Sequence, residues 1–210
     1  MNKHVGTVKQ GRKFDQVIEG ARQIFLRDGF DGASVDDIAR AAGVSKATLY
    51  SYFPDKRLLF IEMATRECQR QAGQQFATAD LSPPPEVVLP IAAARLQEFM
   101  LSDFGRSIYR VCVAEAERFP ELGQRFYDSG PMMVRKGLRC YFERAIARGE
   151  LVIDDLDLAA DQFAELCKAS ILPHSLFAKG AGPDAEERAR IAQSAVDMFL
   201  ARYGTRAPHF

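Results

Sequence analysis

A chain of 210 residues, 47% hydrophobic and 27% charged, has room for one compact domain or two small ones and an ordinary soluble composition. Its 28 basic residues balance 28 acidic ones, which excludes a protein that is basic all over but not a local basic patch. No apolar run reaches the roughly 20 residues of a membrane span, and none follows the basic N-terminus as a secretory signal requires, so a cytoplasmic protein is expected.

Residues 1–13 carry Lys3, Lys9, Arg12 and Lys13 and no acid, a basic arm. Phe14, Val17, Ile18, Ala21, Ile24 and Phe25 follow at helical spacing, and Gly29 marks the end of this first helix. Ser34 then reads as an N-cap with Asp37 as its capping-box carboxylate, and Asp36 and Asp37 suit the positive end of a helix dipole. Gly43 supplies the positive φ that ends this second helix. Ser45 caps a third, Lys46 to Tyr52, which stops at Phe53-Pro54 because the residue before a proline avoids the helical region.

Helix, glycine turn, helix is the helix-turn-helix unit, whose second helix enters the major groove. Lys46 and Ala47 stand at the end of that helix that meets base edges. Ser34, Ser45, Thr48, Tyr50 and Tyr52 offer hydroxyls, and Lys56 a charge. The expected DNA-binding set is therefore Ser34, Ser45, Lys46, Ala47, Thr48, Tyr50, Tyr52 and Lys56, with Thr48, Tyr52 and Lys56 on phosphates and Lys46 and Tyr50 near bases. A solvated amphipathic helix with ordinary caps is the plainer alternative.

The run GFDGASVDDIARAAGVSKATLYSYFPDKRLLF resembles the N-terminal signature of TetR/AcrR-type transcriptional regulators. Further on, RVCVAEAERFPELGQRFYDSGP resembles the C-terminal domain of an AefR-like subgroup. The resemblance implies an arm that reaches toward the DNA backbone, an effector site in the C-terminal domain, and a homodimer joined by a four-helix bundle.

Asp55 is expected to cap a fourth helix running to about Phe76, a natural mechanical link or merely a connector. After the break TADLSPPP the pattern is helical over about 85–102, 104–118, 120–128, 131–148, 156–178 and 183–203. Pro173 should kink or end the helix 156–178 locally. The sum is an all-α protein of about nine or ten helices. Residues 1–56 form a DNA-binding domain with its basic arm, and 57–210 a ligand-binding and dimerisation domain. Helices 156–178 and 183–203 have broad apolar faces, the latter through Ala192, Ala195, Val196, Phe199, Leu200 and Tyr203. They are the expected dimer interface, with burial inside one chain as the alternative.

Aromatic residues crowd the middle helices, which is more often plain core, though apolar ligand pockets have the same look. The candidate ligand residues are Phe99, Tyr109, Cys112, Glu115, Phe142, Phe163, Cys167, Ser170, Ile171 and His174. The four cysteines are far apart and the three histidines scattered, so buried structural thiols are expected and no metal or cofactor. Glu115 and Glu117 are two apart and do not face each other on a helix, and there is no phosphate loop, nucleophile elbow or HExxH, so an enzyme is not expected. The expected function is a transcriptional regulator, acting as a repressor, that leaves a pseudo-palindromic double-stranded operator when a small apolar or amphipathic effector binds. An architectural DNA-binding dimer without effector is the main alternative.

Overall fold

The structure is a computed structural model that describes residues 11–78, 80–177 and 182–205. It is all-α: α1 (Arg12–Gly32), α2 (Val35–Ala42), α3 (Lys46–Tyr52), α4 (Lys56–Thr78), α5 (Pro85–Leu101), α6 (Asp103–Glu115), α7 (Pro120–Ser129), α8 (Pro131–Ala147), α9 (Leu156–Cys167), α10 (Ile171–Phe177) and α11 (Ala185–Tyr203). Among the described residues the only strand-like pairing is a lone antiparallel bridge between Leu151 and Gly204, which ties the end of α11 to the loop after α8. No helix among them is long and apolar enough to cross a membrane.

The chain divides into two compact units, Met1–Cys68 with Ser107–Phe126, and Gln69–Arg106 with Tyr127–Phe210. Residues 1–56 fall within the first, which also takes the start of α4 and the stretch 107–126. Its core is built on the α1 stripe of Phe14, Val17, Ile18, Ala21, Ile24 and Phe25, with Ile38 and Ala42 of α2, Leu49 of α3 and Leu59, Phe60 and Met63 of α4. Gly29, at φ 71 and ψ 179, breaks α1 where the sequence places its stop, and a last short turn runs on to Gly32.

Among the described residues of this unit three carboxylates are buried, and each meets arginine. Glu62 accepts from Arg66 at 2.9 Å and pairs with Arg125 at 2.5 Å, while Glu67 accepts from Arg22 at 2.8 Å. Glu115 accepts from Arg57 at 2.6 Å, and Arg118 lies 3.8 Å from its other oxygen, close enough for charge attraction but not for a hydrogen bond. Paired burial is what makes these charges tolerable.

The second unit is centred on aromatic rings. Phe199 of α11 stacks on Phe142 of α8 at 5.0 Å and meets Phe163 of α9 edge-on at 5.3 Å. Leu89, Ala93, Leu138, Ala145, Cys167 and Val196 belong to the same cluster. Two expectations change here. The stretch 156–178 is two helices, broken at 168–170 rather than at Pro173. A proline ring clashes with the carbonyl four residues back and offers no amide, so the helix opens before it, and Pro173 sits harmlessly in the first turn of α10. Ser170 takes the left-handed conformation at φ 64 to make the corner. Cys140 is exposed, because it falls off the Leu138, Tyr141, Phe142 and Ala145 face of α8; Cys68, Cys112 and Cys167 are buried.

Candidate nucleic-acid interface

The interface begins with the caps. The Ser34 hydroxyl accepts from the Asp37 amide at 3.1 Å and donates to the Asp37 carboxylate at 2.6 Å, to which Arg40 also donates at 2.6 Å. The Ser34 bond, then the Arg40 bond, holds the Asp37 carboxyl below the usual carboxylate range. Gly43 closes α2 at φ 63 and ψ 34, its amide turned back to the Ala39 and Arg40 carbonyls. Two residues later Ser45 starts α3, accepting from the Thr48 amide at 3.1 Å, with the two hydroxyls 2.9 Å apart. The tight turn thus follows from one glycine and two serines in the right places.

One side of α3 faces the core. Leu49 is buried, Phe53 lies 5.4 Å from Phe14, and the Tyr52 ring meets the Phe14 edge at 5.6 Å. Ser45, Lys46, Ala47, Tyr50 and Ser51 point outward, and Tyr50 is 47% exposed. The outer face is therefore small and hydroxyl-rich around one lysine and one tyrosine, which suits contact with base edges and phosphates.

Lys56 is placed otherwise than the sequence suggests. Its ammonium donates to the carbonyls of Phe30 at 2.9 Å and Ala33 at 3.1 Å and lies 4.5 Å from the Phe30 ring centre. A cation at the free carbonyls of a chain corner is well stabilised there, with two of its three N–H donors in use. Lys3 and Lys9 of the basic arm lie outside the described residues, while Arg12 and Lys13 are exposed at the start of α1. Arg40 and Ser51 belong to the exposed surface but escaped the sequence reading; the i, i+3 spacing of Asp37 and Arg40 was the available signal for the first.

The ten candidate ligand residues do not gather in one unit. Tyr109, Cys112 and Glu115 lie in the first, where Glu115 is held by Arg57. The other seven lie in the second. Of these, Phe142, Phe163, Cys167 and Ile171 are fully buried, and Phe99 packs edge-on against Phe104. His174 is half-buried and its amide donates to the Ser170 carbonyl at 3.1 Å. The sequence reading missed Gln97, a buried amide on α5 that donates to the Cys167 carbonyl at 3.2 Å where α9 ends. Burial pushes the thiols of Cys112 and Cys167 up to about 12 and that of Cys68 to about 11, so all three stay protonated at neutral pH. Among the described residues, no group of three or more His, Cys, Asp or Glu side chains is placed to hold a metal ion.

Residues 17–63 match the family described as bacterial regulatory proteins, tetR family, and residues 88–205 match the AefR-like transcriptional repressor C-terminal domain. The chain belongs to the TetR family. That family is one of bacterial transcriptional regulators and not of enzymes. A TetR-family regulator from Mesorhizobium loti MAFF303099 shares the fold with a TM-score of 0.75 at 27% identity, over 94% of this chain and all of that one. The flavonoid-responsive regulator FrrA gives a TM-score of 0.67 at 32% identity, over 94% of this chain and 100% of FrrA. The transcriptional repressor AcnR of Corynebacterium efficiens is 35% identical over 57 residues, 27% of this chain. The chain spans about 30% of the length of the curated relatives it matches, AcnR among them.

Proposed function

We propose that this TetR-family regulator is a homodimeric repressor that binds a pseudo-palindromic operator and leaves it when a small effector binds. The observation that carries the DNA reading is the outer face of α3, a capped helix end that presents Lys46, Ala47 and Tyr50 while Leu49 and Phe53 anchor it from behind. Residues 1–56 form the DNA-binding domain and 57–210 the effector-binding and dimerisation domain. Lys46 and Tyr50 read bases. Thr48, Tyr52 and Lys56 hold phosphates, and Ser34 and Ser45 lie beside them at the two helix starts.

The dimer is formed by α9, α10 and α11 of each subunit. Large apolar side chains left exposed on α9 and α11, Leu158 at 51% and Met198 at 57%, support this surface. Two copies then present two recognition helices to two half-sites. The effector is apolar or amphipathic and binds in the C-terminal domain. Its candidate contacts are Phe99, Phe142, Phe163, Cys167, Ser170, Ile171 and His174, with Tyr109, Cys112 and Glu115 as further candidates. The responsiveness of FrrA to flavonoids supports an effector of this class. Effector binding favours a dimer with its recognition helices wrongly spaced, by the ligand's differential affinity for the two states.

The test is selection of duplexes from a random-sequence library, followed by titration of the enriched duplex with flavonoids and fatty acyl compounds. A two-fold symmetric enriched site, with release by at least one compound class, is expected. Enrichment without release by any amphipathic compound would favour an architectural dimer.

A further inference from the structure

The stretch from Ser34 to Lys56 contains three acids, Asp36, Asp37 and Asp55, and three bases, Arg40, Lys46 and Lys56, so the recognition unit is electrically neutral. Each base is already engaged. Arg40 is held by Asp37, and Lys56 by the Phe30 and Ala33 carbonyls. Lys46, the first residue of α3, pairs through its ammonium with the Asp36 carboxylate in the first turn of α2. Asp37 supplies the capping box of α2, so that motif does not call on Asp36. The Asp36–Lys46 pair is open to water, with 56% and 54% of the two side chains exposed, and an ion pair so exposed contributes little to stability. A carboxylate on a surface that must meet phosphates carries a cost in DNA affinity, and its place beside the one outward lysine of α3 suggests what it does in return.

We propose that Asp36 is a positioning residue that sets DNA specificity through Lys46. Its carboxylate holds the ammonium at the α2–α3 corner and withholds it from arbitrary phosphates. The cation exchanges partners only where the groove offers a concentrated acceptor, for which the O6 and N7 edge of guanine is the chemical match for lysine. On random DNA the pair stays closed and Lys46 releases no counterion. On the right half-site the pair opens and Lys46 reads the base. The inference rests on α3 being the base-reading helix.

The test uses the full-length protein, the duplex enriched from a random library by wild type, and a scrambled duplex of the same composition. Wild type, Asp36→Asn, Lys46→Ala and the double variant are titrated over a series of salt concentrations. Asp36→Asn is expected to bind the scrambled duplex more tightly. The slope of log affinity against log salt should steepen by about 0.9, one more phosphate contact, which amounts to roughly fivefold at 0.15 M salt relative to 1 M. The ratio of enriched to scrambled affinity should fall by a similar factor. In the Lys46→Ala background the same substitution should leave the slope nearly unchanged.

An unchanged ratio and slope for Asp36→Asn overturns the proposal. So does an equal effect with and without Lys46, because Asp36 would then be only a repelling charge. If Lys46→Ala lowers affinity for both duplexes alike, Lys46 is a phosphate contact and the proposal falls while the regulator reading stands. If wild type enriches no sequence, the regulator reading falls and takes the proposal with it. Matching circular dichroism melts show that each variant is folded.

Discussion

A Cβ at Gly20 would stand 2.6 Å from the Ala42 amide nitrogen and 2.7 Å from the Ala42 Cβ, so α1 and α2 meet where only hydrogen fits. Gly20→Ala should force backbone apart at that contact and cost about 1–3 kcal/mol, typical of overpacking. For a chain of this length each kcal/mol lowers the midpoint by about 2–4 °C, and differential scanning calorimetry reads the drop; a midpoint equal to wild type removes Gly20 from the packing contact. From a single sequence this glycine cannot be told from one merely tolerated in a helix. The cysteines give a second prediction. Native protein at pH 8 should consume alkylating reagent at Cys140 alone, because Cys112 and Cys167 are buried with thiols raised to about 12 and Cys68 to about 11. Unfolded protein should react at all four, and peptide mapping identifies the sites. Rapid native labelling of Cys167 would show that its core opens.

At the scale of elements, the helix-turn-helix was legible almost to the residue because its signals are local. Ser34, Gly43 and Ser45 each act on backbone within a few positions, and α2 and α3 begin and end where those residues say. The roles of side chains were less legible. Lys56 reads as a surface cation from its neighbours in sequence, yet its partners Phe30 and Ala33 lie more than twenty residues away. The α9–α10 corner was half legible, since proline announces a break but not which earlier residue absorbs it. Ser170 absorbs it at φ 64, a conformation that L side chains rarely take. Ser170→Gly should therefore stabilise the protein by about 0.5–1 kcal/mol, the relief of strain exceeding the added freedom of the unfolded chain. Chemical denaturation with an unchanged m-value measures it, and a loss of stability would mean that the hydroxyl holds the corner.

For the whole molecule, the apolar faces of 156–178 and 183–203 were visible in the sequence, but not which part of each face stays open. Phe199 and Leu200 both look like interface residues in a helical pattern. Phe199 is instead the centre of the ring cluster, and a charge there would unfold the second unit rather than split a dimer. Exposed Leu158 and Met198 are the sites for that experiment. Leu158→Glu with Met198→Glu should give a folded monomer by analytical ultracentrifugation, with an unchanged far-ultraviolet spectrum and operator affinity reduced at least tenfold, since two half-sites are no longer engaged together. A dimer that persists with full affinity would place the interface on another surface.

The Lys56 contact also has a topological meaning. By reaching back to the Ala33 carbonyl it closes a ring of chain that contains α2, the turn at Gly43 and all of α3. A noncovalent clasp of this kind limits how far the enclosed segment opens while the clasp holds. Helices as short as these have little stability of their own in water. Amide hydrogens from Ile38 to Phe53 should therefore exchange through one shared opening rather than fray from their separate ends. Lys56→Met, which keeps the aliphatic stem but drops the ammonium, should speed that exchange across both helices together, and the recognition helix would then lose order as a ring unlatched and not as a free end.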